Sequence, residues 1–506
     1  MRPSIIACLK QYSAKKFFGD LTAGIVVGII ALPLSIALGI ASGASPEKGL
    51  VTAIIGGFLV SALGGSTVQI GGPTGAFVVI VAGAISKYGL DGLVLATLMA
   101  GVLLILIGVL RFGKLLQFIP YPVISGFTSG IAVVIFSTQV GDFLGLGNGP
   151  VPAEFIHKWA FYFQGIGTAS WESILIGVFA LAVIILWPRV NRRVPGSLVA
   201  LLAATILSFI LPGAETIGTR FPHISASFPG IALPAWSMEK AAELLPTALT
   251  IAFLAGIESL LSATVADGMT GRRHNPNMEL AAQGIANIGS ALFGGIPVTG
   301  ALARTAANIK NGGQTPVAGM VHALTLLAVF LVGMPYVKAV PMAALAAVLM
   351  AVAFNMGEWD YFRELKHLPK SDGAVFLTAF LLTVVLDLVM AISAALVLAA
   401  VLVLVRLKNL VGVDFEDAGA DAVRLSVNGP LFFVASHKLG ELSDRDRDRI
   451  KVLLLDLKGV PFMDASALRA LRALKASAER DGISLKLENL QKQPLALLTR
   501  SGFEFA

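Results

Sequence analysis

Fourteen apolar runs fill the chain up to about residue 405, and they are about long enough to span or half-span a lipid bilayer. The hydrocarbon core is about 30 Å thick, so a spanning helix needs about 20 apolar residues. Of the 506 residues, 56% are hydrophobic and 14% are charged, whereas a soluble chain has about 25% charged residues. The pattern predicts a polytopic α-helical membrane protein. The runs lie near residues 21–40, 49–64, 73–86, 91–110, 119–140, 171–187, 197–211, 244–266, 280–293, 299–310, 315–333, 339–354, 372–387 and 389–405.

The runs divide into two sets of seven, which indicates an internal repeat. We place the first repeat at about 15–211 and the second at about 240–408. The shortest runs, 73–86 and 299–310, are the third member of each set. At about 1.5 Å per residue they are too short to cross the membrane as helices. They are predicted to be half-helices that meet tip to tip near the membrane midplane.

Both half-helices are preceded by a related motif. Gly71–Ala76 reads Gly-Gly-Pro-Thr-Gly-Ala, and Gly294–Ala301 reads Gly-Gly-Ile-Pro-Val-Thr-Gly-Ala. Glycine and proline interrupt a helix and leave the backbone N–H groups of a new helix start free to bind an anion. Interrupted helices at equivalent places of two repeats are typical of the binding site of a secondary transporter. The alternative is that the glycines only allow close helix packing.

Arg304 follows the second motif and is predicted to lie at membrane depth. A buried arginine costs at least ~2.5 kcal/mol at a helix centre, so the fold must supply a cavity, water or a counter-ion. An arginine beside a half-helix start predicts an anion site. The alternative places Arg304 in a cytoplasmic loop.

Glu258 is the other charged residue inside an apolar run, and Ser262 shares its helix face four residues later. Burial disfavours a carboxylate charge, whereas a nearby arginine favours it. Glu258 is therefore a candidate proton carrier, with a permanent Glu258–Arg304 ion pair as the alternative. Pro33, which precedes Leu34 in the first run, is expected to open that helix and line the cavity, although proline is frequent in membrane helices.

Other function classes have little support in the sequence. Cys8 is the single cysteine, so an internal disulfide and a cysteine-built metal site are excluded. The six histidines show no ligand spacing, and no nucleophile elbow or phosphate-binding loop is present. From residue 413 onward, 14 basic and 14 acidic residues cancel, so the net charge of +7 belongs to the membrane part. We expect no enzyme activity, cofactor, metal or nucleic-acid partner.

The basic residues between the runs fall on one side if all fourteen segments cross or re-enter in alternation. By the positive-inside rule this side is cytoplasmic. Both termini are then cytoplasmic. The membrane is expected to be the inner membrane of a bacterium. The first apolar run is too long for a cleavable signal peptide. The basic clusters are Lys10, Lys15, Lys16; Arg111, Lys114; Arg189, Arg192, Arg193; Arg272, Arg273; Arg363, Lys366, Lys370; Arg406, Lys408.

After a transmembrane domain spanning residues 1–412, residues 413–506 change to a soluble α/β pattern. Short alternating or apolar runs predict strands, and residues 466–478 have the periodicity of an amphipathic helix. About ninety residues suffice for one small cytoplasmic domain. The predicted strands are 423–427, 431–435, 452–457 and 483–487.

The chain resembles the SulP family of anion permeases, whose members carry sulfate, bicarbonate or dicarboxylates. The resemblance rests on motifs in the first, third, eighth and tenth runs and on a STAS-like tail. It implies a UraA-like fold of seven-plus-seven inverted repeats, a core domain that moves against a gate domain, and a homodimer. The motifs are Asp20–Gly24, Gly72–Thr74, Glu258–Leu261, Gly294–Pro297 and Ala303–Thr305.

The resemblance also implies an anion site between the third and tenth helices, with Glu258 as the coupling residue. Sodium-coupled relatives carry aspartate at that position, so glutamate favours protons. Many relatives have glutamine after the first-run proline, whereas Leu34 stands here and makes the site less polar. The residues implied for the anion site are Thr74, Gly75, Ala76, Thr299, Gly300, Ala301, Ala303 and Arg304.

The stretches 68–80, 126–132 and 267–271 look most like the bacterial C4-dicarboxylate branch, which takes up succinate, fumarate or aspartate. The resemblance thus predicts a proton-coupled dicarboxylate importer. The alternatives are a sulfate or bicarbonate transporter, an anion channel, and a regulator whose tail binds a cytoplasmic protein.

Ser466 matches the position phosphorylated in STAS domains of anti-sigma-factor antagonists. Phosphate there would add about −1.5 to −2 charge at a helix start. The alternative is that Ser466 only caps a helix beginning near Ala467. The chain stops before the closing strand and helix usual in such domains, so a shortened tail is expected.

Overall fold

The computed structural model of the chain divides into two compact units, residues 1–395 and 396–506. Its helices and strands are labelled in chain order. The structure describes the chain except residues 1, 11, 114–119, 148, 150, 153, 192–193, 225–226, 235, 387, 410, 420, 433–450 and 504–506.

The first unit is helical, and each of the fourteen apolar runs is found as a helix or as part of one. The last run belongs to α18, whose residues are divided between the two units. After the short α1, the first repeat continues with α2, with α3 and α4 joined by a π-helical turn at Thr52–Gly56, and with α5 to α9. The helices are α1 Ser4–Leu9, α2 Ala14–Ala41, α3 Pro46–Val51, α4 Gly57–Leu63, α5 Ala76–Val109, α6 Tyr121–Leu144, α7 Phe155–Gly165, α8 Trp171–Val190 and α9 Gly196–Ile210.

The second repeat begins at α11, after the short α10. The helices are α10 Ile217–Arg220, α11 Met238–Thr270, α12 Pro276–Leu292, α13 Leu302–Lys310, α14 Pro316–Val337, α15 Met342–Met356, α16 Trp359–Glu364, α17 Lys370–Val385 and α18 Leu388–Asn409.

Local sequence explains several helix starts in the second repeat. Asn275 and Thr315 each accept a hydrogen bond from a backbone N–H of the first turn, and each is followed by proline. A side-chain cap followed by proline is a favoured helix start. In the described part of the chain, eight helical segments are long and apolar enough to span a membrane.

Helix α5 contains a break that separates two of the predicted runs. Gly89 has φ 71° and ψ −178° inside an otherwise helical segment, a conformation that only glycine adopts without strain. Residues 76–88 thus form a short helix of about 20 Å, and the following residues form the next crossing. The prediction that 73–86 and 91–110 are separate segments is confirmed.

The helices pack as two groups. The core group comprises α2 to α5 and α11 to α14, in which α5 packs on α11 and α12, and α2 packs on α14. The gate group comprises α6, α8, α9, α15 and α17, in which α6 packs on α15 and α17, and α8 packs on α9 and α15. This division matches the core and gate domains that the family resemblance implies.

The second unit contains a four-stranded sheet with the order β3–β4–β5–β6. The first pair is antiparallel and the next two pairs are parallel. The apolar faces of the sheet and the helices form one core, which includes Leu425, Leu455 and Leu471. The elements are β3 Gly412–Gly419, β4 Ala422–Asn428, β5 Val452–Gly459, α19 Ala465–Arg480, β6 Ser484–Glu488 and α20 Lys492–Arg500.

Most of the predicted elements of the tail are found. Strands β4, β5 and β6 and helix α19 confirm four of them, whereas β3 and α20 were not predicted. Of the predicted strand 431–435, Leu431 forms an isolated bridge with Met463, and residues 433–435 lie outside the described part. Lys114, Arg192 and Arg193 of the basic clusters also lie outside it.

Candidate functional site

A two-stranded antiparallel pair joins the two repeats at the places where their helices are interrupted. Strand β1, Gly71–Gly72, pairs with β2, Thr299–Gly300. The Ala301 backbone N–H also donates to the Ile70 carbonyl at 2.8 Å. Because the strands are antiparallel, the chain leaves the pair in opposite directions, and the helices that follow both start beside it.

Neither of these helix starts has a side-chain cap. Helix α5 begins at Ala76 after Gly75, and α13 begins at Leu302 after Ala301, and in neither does a side chain bond the first turn. The first backbone N–H groups of a helix have no partner within the helix and favour negative charge. In α5 the Phe77 and Val78 N–H groups already donate to the Thr74 and Gly75 carbonyls, so it is the dipoles of the two helix starts, more than free donors, that favour an anion here.

Helix α11 fixes the strand pair through hydroxyl groups. The Gly300 N–H donates to Ser259 Oγ at 3.0 Å, and Thr299 Oγ1 donates to the Ala255 carbonyl at 3.0 Å. The two hydroxyls are 2.7 Å apart, and both side chains are fully buried. Thr299 therefore holds β2 against α11.

A second set of contacts lies behind the strand pair. Ser262 Oγ donates to Thr305 Oγ1 at 3.3 Å, and the Ile70 N–H donates to the same oxygen at 3.1 Å. Asn308 Nδ2 donates to the Val68 carbonyl at 2.8 Å. Ser262, predicted beside the coupling carboxylate, thus contacts α13 in this structure.

Arg304 lies in the first turn of α13 and is 2% exposed. One terminal nitrogen donates to the Pro73 carbonyl at 3.1 Å and to Ser35 Oγ at 3.3 Å. Its Nε and its other terminal nitrogen have no hydrogen-bond partner among the described residues. The buried guanidinium thus retains two donors that no described residue uses, and a charged acceptor such as an anion is a strong partner for them.

Gly72 makes room for this guanidinium. A Cβ atom at this position would lie 1.9 Å from the Arg304 Nη1 nitrogen, which is one of its unpartnered donors. The glycine of the first motif therefore accommodates the arginine of the second repeat.

Glu258 lies on α11 and contacts the first half-helix, because Thr74 Oγ1 donates to Glu258 Oε2 at 2.9 Å. Thr74 is only partly buried, in contrast to Thr299. Within the described residues, Glu258 and Arg304 form no ion pair. The alternative of a permanent ion pair between them is wrong, because each side chain bonds a different part of the first motif or of α2.

The first span contributes to the site, although not through the residues predicted. Pro33 is buried inside a continuous α2, and Leu34 packs partly buried against the apolar core. Ser35, one residue further, donates to the Ala31 carbonyl at 2.8 Å and accepts from Arg304. Ser35 is thus the polar group that this span brings to the arginine.

The remaining predicted residues lie at the boundary of the core group. A Cβ atom at Gly75 would lie 2.8 Å from the Ile135 side chain of α6, so a gate helix packs on the start of α5. Ala76 and Ala301 are buried, whereas Ala303 is exposed. The structure therefore brings together the two motifs, Arg304 and Glu258, at the contact of core and gate.

Sequence reasoning missed several groups of the site. Ser35 and the Pro73 carbonyl bind Arg304, and Ser259 binds β2. His322 on α14 is fully buried, and both of its ring nitrogens lack partners among the described residues. The available signal was position: Ser35 lies two residues after Pro33, and Ser259 follows Glu258.

In the second unit, helix α19 begins at Ala465, and its N-cap is Asp464, whose Oδ1 accepts from the Ala467 N–H at 2.9 Å. Ser466 lies partly buried in the first turn. The alternative that Ser466 caps this helix is wrong, because the carboxylate two residues earlier does so.

Comparison with known proteins gives two family matches. Residues 17–379 match the Sulfate permease family, and residues 417–506 match the STAS domain.

Individual relatives extend over almost the whole chain. The chain is 42% identical to "Putative sulfate transporter YvdB" of Bacillus subtilis (strain 168), over 97% of this chain and 95% of that protein. It is 31% identical to the bicarbonate transporter BicA of Picosynechococcus sp. (strain ATCC 27264 / PCC 7002 / PR-6), over 90% and 85%. The structure of the murine Solute Carrier 26 family member A9 anion transporter superposes with a TM-score of 0.87 at 18% identity, covering 98% of this chain and 90% of that one. This last likeness concerns the fold alone.

Proposed function

The chain belongs to the Sulfate permease family and is an anion transporter, and from this premise we propose that it is a proton-coupled secondary transporter that works by alternating access. The anion binds at the two half-helix starts and Arg304, Glu258 carries the proton, and the core group moves against the gate group to change the exposure of the site. The protein acts as a homodimer in the inner membrane of a bacterium, with both termini cytoplasmic.

The observation that carries this proposal is the state of Arg304. Its side chain is 2% exposed, and two of its nitrogens have no partner in the described part of the chain. A buried cation without a counter-ion is costly, so the site is incomplete until an anion supplies the negative charge. The uncapped starts of α5 and α13 add helix dipoles that favour negative charge, and the carboxylate beside α5, Glu258, is the group that carries the proton.

The contact between Thr74 and Glu258 supports the proposed proton coupling. An ionised Glu258 beside the start of α5 repels an entering anion, whereas a protonated Glu258 does not. Anion and proton therefore bind with positive coupling, and each raises the affinity for the other by the same factor.

The substrate is a small oxyanion. The names of YvdB and BicA support sulfate or bicarbonate, whereas the C4-dicarboxylate prediction rests on the sequence motifs and stays a prediction. The charge of the anion separates the candidates. A monoanion such as bicarbonate with Arg304 and a protonated Glu258 gives a neutral site, whereas a dianion still leaves one negative charge. An ionised Glu258 therefore repels a dianion more strongly than a monoanion. Proton dependence is therefore expected to be strongest for sulfate or succinate.

The test is uptake of radiolabelled sulfate, bicarbonate and succinate into proteoliposomes, with and without an inward proton gradient. For the true substrate, we expect saturable uptake that the gradient stimulates in the wild type. Glu258→Gln should keep binding but lose the dependence on external pH. Glu239→Gln, at the start of the same helix, is the matched control.

A pH profile of Glu258→Gln that matches the wild type would exclude the coupling role of Glu258. Continuous current without saturation by substrate would instead indicate an anion channel.

The STAS unit is proposed to regulate transport through a cytoplasmic partner, with Ser466 as its modified residue. A negative charge in the first turn of a helix is favourable, so Ser466→Asp should fold. Changed uptake in Ser466→Asp but not in Ser466→Ala supports this role, and equal uptake in both excludes a charge switch at Ser466.

A further inference from the structure

A cavity with basic walls lies away from the transport site, beside the first helix of the chain. A cavity of about 750 Å³ opens between α1, the turn that joins α11 to α12, and the loop that precedes β1. Its volume is within the range of about 300–1,000 Å³ that is usual for small-molecule sites. The cationic and titratable side chains that line it are Arg2, Lys10, Lys16, Arg272, Arg273 and His274.

Each acidic group near the cavity accepts hydrogen bonds from neighbouring residues. Asp20 accepts from the Gln314 and Thr315 backbone N–H groups and from the Thr315 hydroxyl. Asp267 accepts from the His274 ring and backbone, and Glu279 accepts from the Gly65 and Ser66 N–H groups. The negative charge at this place is therefore bound by backbone donors and by one histidine, which leaves the cavity walls basic.

Most of the cations themselves have no acidic partner. Within the described residues, Arg2, Lys10 and Arg273 form no ion pair. Arg272 donates to the Gln314 carbonyl at 2.8 Å and to Thr67 Oγ1 at 3.4 Å, so its hydrogen bonds go to neutral oxygens. Like charges that surround one cavity repel each other, and an anion bound among them would relieve this repulsion.

Cys8 reports on this cavity because it is part of the wall. Burial raises the pKa of its thiol, and the nearby charge of Arg272 opposes that change. An anion bound beside Arg272 would weaken this opposition and would also cover the sulfur. Both effects slow the reaction of the thiol with an electrophile, since the thiolate is the reactive form.

From the cavity, its walls and its unpaired cations, we propose a second anion site, separate from the transport site, that binds a phosphate-bearing ligand with at least two negative charges. Phosphate suits these walls because arginine and lysine donors match its oxygens. The phosphate can belong to the headgroup of an anionic lipid or to a soluble compound. In either case the ligand contacts α1 and two further segments of the cavity wall. One segment contains Thr67 and precedes β1, and the other contains Thr315 and follows α13.

The experiment uses the full chain in nanodiscs and measures the rate at which a maleimide labels Cys8, the single thiol of the protein. Sodium pyrophosphate is added to phosphatidylcholine nanodiscs at constant ionic strength, with sodium chloride as the reference. In parallel, phosphatidylglycerol replaces part of the phosphatidylcholine. We expect at least one of the two anions to slow labelling about threefold or more.

The two arms distinguish the sources of phosphate. Protection by pyrophosphate assigns the site to a soluble ligand, and protection by phosphatidylglycerol alone assigns it to a lipid headgroup. Lys10→Ala and Arg273→Ala should each reduce the protection, expressed as the ratio of labelling rates with and without ligand in the same variant. Lys15→Ala is the matched control, because Lys15 is exposed on the same segment but does not line the cavity.

The proposal is overturned if neither anion slows labelling of the wild type, or if Lys15→Ala lowers the protection as much as Lys10→Ala does. The second result would show that only the general surface charge matters. Uptake assays on the same variants keep this test apart from the transport proposal, since neither Lys10 nor Arg273 belongs to the transport site. Thermal unfolding of each variant checks that it is folded.

Discussion

The two interrupted crossings share a sequence motif but differ in chemistry. Each has a two-residue strand, a Thr-Gly-Ala sequence and an uncapped helix start. In the first crossing, the partly buried Thr74 bonds Glu258. In the second crossing, the fully buried Thr299 bonds the Ala255 carbonyl and Ser259. The threonine of the motif thus bonds a titratable carboxylate in one repeat, whereas in the other repeat it holds β2 against α11.

The asymmetry extends to the cation. The second crossing carries Arg304, and the first supplies the space at Gly72 and the Pro73 carbonyl that receive it. Repetition therefore explains the two helix starts and the strand pair, whereas the differences between the repeats create a site with one cation and one carboxylate. Substitutions in the two crossings should have different consequences, which the following experiments measure.

The largest effect is expected for Arg304→Ala, which removes the cation of the second crossing. A hydrogen bond to a charged group contributes about 1.5–3 kcal/mol, so uptake at low substrate concentration should fall by at least about tenfold. Lys310→Ala, at the exposed end of the same helix, is the control and should transport normally. Equal uptake by Arg304→Ala and the wild type would remove the central role of the arginine.

Gly72→Ala tests the matching part of the first crossing. The new methyl group would lie 1.9 Å from the guanidinium, so the arginine must move while the backbone keeps its place. We expect uptake to fall about fivefold, which corresponds to about 1 kcal/mol. Gly83→Ala, on α5, is the control. Its new Cβ meets no atom within 4 Å, so this variant should transport normally. If the two variants behave alike, the space at Gly72 is not needed for transport.

The two threonines give the direct test of the asymmetry. Thr299→Ala removes buried hydrogen bonds and should destabilise the protein by about 1–3 kcal/mol, measured by thermal unfolding in detergent. Thr74→Ala should leave stability nearly unchanged and alter the dependence of uptake on external pH. The reverse pattern would show that Thr74 stabilises the fold and that Thr299 affects proton coupling.

The smallest effect is expected for Ser35→Ala, since the bond from Arg304 to Ser35 Oγ is long at 3.3 Å. The net contribution of such a bond is at most about 1 kcal/mol, which predicts a two- to threefold rise in KM. Ser42→Ala is matched, because Ser42 also donates to a carbonyl four residues earlier in α2. A much larger rise in KM for Ser35→Ala would mean that Ser35 contacts the substrate itself.

Local patterns in the sequence predicted much of this fold. Hydrophobic length located all fourteen segments, and the repeated glycine and proline motif located the two helix interruptions, because both signals depend on neighbouring residues. The strand pair at these interruptions was not predicted. The burial of Arg304 was predicted, since it closely follows the second motif.

The partners of Arg304 could not be predicted in the same way. It bonds Pro73, 231 positions away, and Ser35, 269 positions away, and no local pattern encodes such contacts. An ion pair between Arg304 and Glu258, which was considered from charge alone, is absent among the described residues. The Glu258 carboxylate accepts a hydrogen bond from Thr74 instead. In the tail, the alternative that Ser466 caps the helix was wrong, because Asp464 is the residue that accepts a hydrogen bond from the first turn.

The strand pair between β1 and β2 also constrains how the protein is made. Its two halves are separated by most of the membrane unit, so the backbone groups of Gly71 and Gly72 have no strand partner when the first repeat leaves the ribosome. Unpaired backbone groups in lipid cost several kcal/mol each. We therefore expect the first repeat to settle fully in lipid only after Thr299 and Gly300 of the second repeat have been made.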